Sequence, residues 1–157
     1  MTKQEFLALA AEAAQRVNAT SGLPAGITVA QAALESGWGN SKLSREAHNY
    51  FGIKAHGKHA WVELPTTECD AGAAHTTKAK FARYASMEQC FECRDRLIAS
   101  GALYAEARAS AGDPEKFARA LAKRWATDPQ YAEKLLAVYR ANGLDALDVN
   151  TSRAKAP

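Results

Sequence analysis

No window of this 157-residue sequence comes near the run of about 18 consecutive apolar residues that a membrane-spanning helix needs. Stable membrane insertion is therefore not expected. The N-terminus also lacks the basic-then-apolar form of a secretory leader, because "MTKQEFLALAAEAAQRV" interrupts its apolar residues with Glu5, Glu12, Gln15 and Arg16. It reads as an amphipathic helix on a chain made in the cytoplasm without an export signal. Cysteine is scarce: Cys69, Cys90 and Cys93 are an odd number in a chain long enough to bury a core, which speaks against a disulfide framework. Cys90 and Cys93 would stack one helical turn apart, and no second C-x-x-C completes a four-cysteine zinc site, so buried thiols are expected. His56 and His59 form an H-x-x-H in "AHGKHA", but in a glycine-containing loop without an acidic partner; neither metal nor cofactor is expected. G-x-S-x-G, phosphate-loop and dinucleotide fingerprints are absent. Charge of one sign is nearly lacking too: 20 Lys and Arg against 17 Asp and Glu leave +3, which favours a polyanionic surface without implying nucleic acid.

What is present suits one compact domain, expected over residues 1–147 with a flexible tail over 148–157, and monomeric. Phe6, Leu7, Ala10, Ala14 and Val17 recur at spacings of three and four and predict a helix over residues 3–18. "TSGLPAG", residues 20–26, is turn chemistry, and a second helix is expected from about Thr28 to Ser36, stopping at Gly37. From His48 to Phe81 the composition shifts to aromatic and β-branched residues with approximate alternation, predicting a hairpin of about 60–69 and 74–82 with "CDAGA" as its turn. The remainder returns to helix, with Ser86 and Asp113 as N-caps, Pro114 at a first helical position, Asp128 and Pro129 repeating that signal, and Gly143 as a stop. The expected fold is α+β and mainly α, with a small hairpin lobe bordering a cleft and Glu35 at a helix end facing it.

Glu35, in "AALESGWGNSKL", is the chemically pointed residue. A carboxylate in the last turn of a helix meets the negative end of the macrodipole, and Leu34 and Trp38 can strip water from it. Both effects raise a carboxyl pKa, as a general acid protonating a glycosidic oxygen requires. Gly37 and Gly39 would leave room for a bulky polymer. On local chemistry alone a solvated helix-end glutamate beside a glycine cap stands as the alternative.

"QAALESGWGNSKLSREAHNYFGIKA", with "LPTTECDAG", "AKFARYASMEQC" and "WATDPQYAEKLL" following in order, resembles the bacterial glucosaminidase domains grouped as glycoside hydrolase family 73, which include flagellar rod-associated peptidoglycan hydrolases. The resemblance spans residues 3 to 144. It implies a lysozyme-like helical fold with a β-lobe, and the glycan strand of bacterial peptidoglycan as substrate. It also implies Glu35 as the general acid and Glu68 as a second carboxylate on the hairpin. Cys69 departs from the aromatic residue often found next to that glutamate. Tyr131 falls on the family's sugar-site tyrosine, where its phenol could hydrogen-bond substrate, a core aromatic being the other reading. Trp38, Asn49, Tyr50 and Phe51 match the segments that border the cleft, with Asn49 free to bond either substrate or backbone. Trp125, just before "ATDPQY", is read as cleft or core, with core favoured.

The reaction that follows is endo-β-N-acetylglucosaminidase hydrolysis. Lytic transglycosylase chemistry from the same acid is a rival, and a non-catalytic wall-binding module is the alternative of another class. A catalytic domain beginning at Met1 without wall-binding repeats looks like a phage endolysin, acting in the periplasm or cell wall after release. A secretion-system effector or a domain cut from a flagellar protein would look the same.

Overall fold

The computed structural model describes residues 1–70 and 72–149, with the side chains of residues 68–70 excepted. The tail expected from residue 148 therefore lies outside the described residues from 150 onward. Seven helices and a two-stranded antiparallel hairpin make up the described fold, together with two short 3-10 turns.

Helix α1, Lys3–Ser21, opens with a capping box: the Thr2 side chain accepts from the Glu5 N–H, and the Glu5 carboxylate accepts from the Thr2 N–H. Its apolar face buries Phe6, Ala10, Ala14 and Val17, the residues whose spacing predicts the helix.

Helix α2, Ala25–Ser36, is the centre of the molecule. Every residue from Ala25 to Ala33 is buried, so the helix is packed on all sides rather than on one stripe. It begins three residues earlier than the sequence predicts, inside the segment read as a turn. The reason is remote: the first turn of α2 receives its cap from Asp148, whose Oδ1 accepts from the Gly26 N–H at 2.9 Å while its Oδ2 accepts from the Tyr139 hydroxyl at 2.8 Å. Gly26 has no room for a side chain, since a Cβ there would lie 2.2 Å from the Leu144 carbonyl oxygen.

The chain then reverses through three successive left-handed residues, Gly37 (φ 56°), Trp38 (φ 59°) and Gly39 (φ 77°). The glycines are thus explained by the backbone, not by clearance for a polymer: Gly37 ends α2, and a Cβ on Gly39 would press on Phe6 at 3.0 Å. A short helix that the sequence reading did not anticipate, α3, Lys42–Ala47, follows with Ser41 as its N-cap.

Strands β1, Trp61–Asp70, and β2, Ala73–Ala82, pair in register from Trp61 opposite Ala82 to Asp70 opposite Ala73. They run deeper into the turn than expected. Four helices complete the body: α4 (Met87–Ser100), α5 (Ala105–Ala109), α6 (Pro114–Trp125) and α7 (Tyr131–Ala141). Ser86 and Asp113 cap α4 and α6 as their sequences predict. Phe91, Ile98, Phe117, Leu121, Leu135 and Leu136 close the core around α2.

Under that core lies a buried ion pair. The Arg94 guanidinium, wholly buried, donates from Nη1 to Asp95 Oδ1 at 2.8 Å and to Thr28 Oγ1 at 2.9 Å, and from Nε to Gln31 Oε1 at 3.0 Å. Asp95 Oδ2 in turn accepts from Asn18 Nδ2 at 2.7 Å and Ser21 Oγ at 2.6 Å.

Candidate active site

The last turn of α2 leaves the core, and Glu35 is its first solvent-facing residue. Beside it opens a cleft of about 590 Å³ whose walls include Phe51, Ile53, Lys54, Tyr104 and Trp125. Helix α6 contributes Trp125 at its C-terminal end, and the loop before α7 brings Thr127 and Asp128 to the rim. The cleft thus brings aromatic side chains and the carboxylate together.

Helix α7 begins with Tyr131, which is buried, and its hydroxyl donates to Glu35 Oε1 at 2.6 Å across 96 residues of sequence. The bond is short, as expected for an O–H donor to a carboxylate. Partial burial raises the Glu35 carboxyl above its ordinary value, and hydrogen bonding from Tyr131 and the Trp125 indole opposes that rise. Burial is the largest cause of that rise, although one side of Glu35 meets solvent. Burial, and then the Glu35 charge, push the Tyr131 phenol upward, so it remains a donor throughout the ordinary pH range.

The expected site residues separate into two groups. Glu35, Tyr131 and Phe51 come together at the cleft: Phe51 lines it, and its ring lies 6.2 Å from Trp125, edge to face. Trp125 is half-buried: it packs against the core and also lines the cleft, so it occupies both of the positions open to it. Its indole could have been recognised from the sequence only through its place just before the "ATDPQY" segment.

Trp38, Asn49 and Tyr50 stand elsewhere. Trp38 packs edge to face on Phe6 at 6.0 Å, with Lys3 Nζ 4.7 Å over its ring. Asn49 is buried, and its amide donates to the carbonyls of Ile53 and Ala82, both at 2.9 Å, while its oxygen accepts from the Ile53 N–H at 3.1 Å. Of the two partners open to Asn49, it takes backbone, tying the loop to the base of the hairpin. Tyr50 is buried between Phe6 and Phe91, its N–H donating to Cys90 Sγ. Glu68 pairs by backbone with His75 on the hairpin, and its side chain lies outside the described residues.

Away from the cleft, Cys90 and Cys93 are free, buried thiols on α4. His56 Nε2 lies 3.5 Å from Cys93 Sγ, and the Tyr84 hydroxyl donates to that sulfur at 3.1 Å. Among the described residues, no helix is long and apolar enough to cross a membrane.

A helical body, a small antiparallel lobe and one partly desolvated carboxyl at the mouth of a buried helix define a lysozyme-like glycoside hydrolase domain. The chain belongs to the glucosaminidase family, glycoside hydrolase family 73: the family profile described as mannosyl-glycoprotein endo-beta-N-acetylglucosaminidase matches residues 11–144. It is 41% identical over 137 residues to the peptidoglycan hydrolase FlgJ of Escherichia coli K12, covering 83% of this chain and 44% of that protein. It is 37% identical over 132 residues to the exo-glucosaminidase LytG of Bacillus subtilis, covering 80% of this chain and 47% of that protein. The chain thus spans less than half the length of either relative. Among solved structures it superposes on the catalytic domain of the autolysin Auto from Listeria monocytogenes with a TM-score of 0.84 at 29% identity, covering 93% of this chain and 87% of that one. The glycoside hydrolase domain of Salmonella typhimurium FlgJ matches with a TM-score of 0.76 at 33% identity, covering 98% and 96%.

Proposed function

We propose that this domain hydrolyses the β-1,4-linked glycan strand of bacterial peptidoglycan as an endo-β-N-acetylglucosaminidase, with Glu35 as the general acid. The observation that carries the proposal is the 2.6 Å bond from Tyr131 to Glu35 at the edge of an aromatic-walled cleft. A carboxyl in that setting is raised by desolvation yet reachable by substrate, the two properties a proton donor to a leaving sugar oxygen needs.

Glu35 bears the transferred proton, and departure of the protonated sugar leaves oxocarbenium character on the ring that remains. Glu68 assists as the second carboxylate, and Glu68→Gln is expected to lower turnover. Tyr131 works through Glu35: its hydroxyl is already donated to that carboxylate and so is not available to a substrate acetamide at the same time. Trp125, half-buried, offers an apolar face to a sugar ring, and the buried Phe51 backs it at 6.2 Å.

Family membership and the peptidoglycan hydrolase names of FlgJ relatives support this substrate. The biological setting we propose is a phage endolysin reaching the wall from the cytoplasmic side. Cells expressing the chain should then lyse only once their inner membrane is permeabilised, whereas an effector or flagellar enzyme would depend on its own delivery machinery.

The test is a digest of purified peptidoglycan by wild type and Glu35→Gln, with mass spectrometry of borohydride-reduced products. Reduced N-acetylglucosamine ends that vanish in the variant are expected. N-acetylmuramic ends would move the cleaved bond, anhydro ends would replace hydrolysis by transglycosylation, and no new ends from folded wild type would refute the enzymatic reading.

A further inference from the structure

From Trp125 the cleft wall continues onto a corner of the fold that the proposed chemistry leaves unused. Helix α4 ends at Gly101, and the 3-10 turn Ala102–Tyr104 leads the chain into α5. Leu97, in the last turn of α4, and Tyr104, at the end of the 3-10 turn, line the cleft together with Trp125. The Tyr104 ring lies 6.3 Å from the Trp125 ring, tilted by 47°. Trp125 is thus the shared neighbour of Phe51 and Tyr104.

The corner is held in place by its backbone. The Gly101 N–H donates to the Leu97 carbonyl at 2.9 Å, and Arg108 Nη1 from α5 donates to the carbonyls of Ile98 and Gly101 at 2.7 and 2.6 Å. A guanidinium so placed satisfies carbonyls that the end of a helix leaves open. Gly101 is also required by clearance: a Cβ there would lie 2.7 Å from the Leu97 carbonyl oxygen and 2.9 Å from Tyr104 Cδ2. The Tyr104 ring therefore rests against the Gly101 backbone, which fixes its place in the wall.

Two features of this corner serve no contact inside the fold. Leu97 is 38% exposed. A single exposed leucine is ordinary, but this one shares a concave wall with two half-buried aromatic rings, so the three make an apolar strip. The second feature is the Tyr104 hydroxyl. Tyr84, Tyr131 and Tyr139 donate to Cys93, Glu35 and Asp148, whereas among the described residues the Tyr104 hydroxyl has no hydrogen-bond partner. An apolar strip beside an uncommitted phenol suits a sugar ring, which presents an apolar C–H face edged by hydroxyl and acetamide groups. Neither Leu97 nor Tyr104 supplies a charge, so the part of the ligand they meet is neutral.

We propose that Leu97 and Tyr104 form a sugar subsite next to the one on Trp125, where they hold an N-acetylhexosamine ring of the glycan strand that takes no part in bond breaking. The proposal deepens the glycan-hydrolase reading and rests on it. Its consequence is selectivity for chain length: a strand long enough to reach the corner gains a ring contact and a hydrogen bond, and a shorter one does not.

The test measures stem-free peptidoglycan glycan fragments from disaccharide to octasaccharide against the full chain. Affinity is read by calorimetry in a Glu35→Gln background, and turnover with Glu35 present. Affinity should step up at one chain length, and Tyr104→Ala should remove that step, a loss of about tenfold on the octasaccharide, while shorter fragments stay within about twofold. On the octasaccharide KM should rise in proportion and kcat stay within about twofold, as loss of uniform binding requires. Tyr104→Phe isolates the hydroxyl and should account for about threefold of the loss. Leu97→Ala should weaken the octasaccharide by about threefold as well. Leu103→Ala removes a leucine that is 62% exposed on the same turn but lies outside the cleft wall, and should change no fragment.

Circular dichroism checks folding in each case. No loss in folded Tyr104→Ala and Leu97→Ala, or an equal loss at every chain length, overturns the subsite. A loss confined to fragments that retain their peptide stems overturns it as well, because the corner would then meet the stem. Failure of folded Glu35→Gln to bind any fragment would overturn the glycan reading, and full turnover by that variant the acid assignment, so these failures are distinguishable from that of the subsite.

Discussion

Tyr131→Phe is the sharpest probe of the site because it deletes one hydroxyl from a buried ring and leaves the ring in place. The lost bond is a 2.6 Å O–H to carboxylate contact. Hydrogen bonds to charged groups contribute about 1.5–3 kcal/mol, so the bond favours the ionised form of Glu35 by an amount of that order and holds its carboxyl down. Glu35 faces solvent on one side, and water can replace part of what is lost. The low end applies, about 1.5 kcal/mol. The sign follows from which form the phenol stabilises: it donates to the carboxylate, so its removal favours the protonated acid. Activity should therefore persist to higher pH in the variant, with the basic limb moved up, while the plateau falls roughly tenfold because the acid is no longer oriented. The assay is kcat against pH on soluble glycan fragments, supported by carbon-13 titration of the Glu35 carboxyl. If the limb stayed in place, or moved down, the phenol would not be acting on Glu35 as argued.

Further consequences concern the fold and the remaining titratable groups. Gly26→Ala reverses the usual preference of a helix for alanine, since the added Cβ would sit 2.2 Å from the Leu144 carbonyl oxygen and 2.6 Å from Asp148 Oδ2. A loss of about 3 kcal/mol is expected where helix propensity alone would give a gain of about 1, lowering Tm by roughly 6–12 °C in a calorimetric scan. Glu35→Gln should stabilise the fold above the pH range in which Glu35 ionises. Desolvation raises the folded carboxyl, the native state then binds more protons than the unfolded chain, and stability falls as pH rises from the ordinary carboxylate value through the raised one. Thermal unfolding of both proteins should converge well below that window and separate above it. Cys90, with its thiol pushed up to about 12 by burial, should resist alkylation at pH 8 until denaturant is added, as peptide mapping by mass spectrometry would show. Rapid labelling of native protein would contradict the packing described for α4.

How much of this was legible in the sequence depended on whether the cause was local. The α1 stripe, the Ser86 and Asp113 caps and the hairpin alternation are decided within a few residues, and the sequence predicts each. The first turn of α2 is not, because its cap comes from Asp148, 122 residues away. The six-residue α3 is too short to show periodicity, and a local cap at Ser41 is its main signal. The glycines around Trp38 announced an unusual backbone without saying whether a ligand or a chain reversal required it. In the site, Glu35 was legible from its resemblance to a family motif, but the same motif carried Asn49 and Tyr50, whose side chains hold the loop and the core. A motif records everything a segment must do, and sequence alone does not separate packing from chemistry.

That mixture has a physical basis in how the fold delivers its acid. A flexible glutamate at a frayed helix end would meet substrate in many geometries, and misplacement by about 1 Å can cost around a hundredfold in rate. Helix α2 avoids fraying at both ends. Asp148 fixes its first turn, the left-handed turn at Gly37–Gly39 fixes its last, and burial on every side from Ala25 to Ala33 prevents rotation between them. Glu35 emerges only after that clamped span, where Tyr131 meets it from a helix that also packs on α2. Loosening either end should therefore reduce turnover without touching the cleft. In Asp148→Ala, whose site residues are all intact, kcat should fall more than KM rises at a temperature where the variant remains folded. An unchanged kcat would mean that the carboxylate is placed by Tyr131 alone and that the clamp serves stability only.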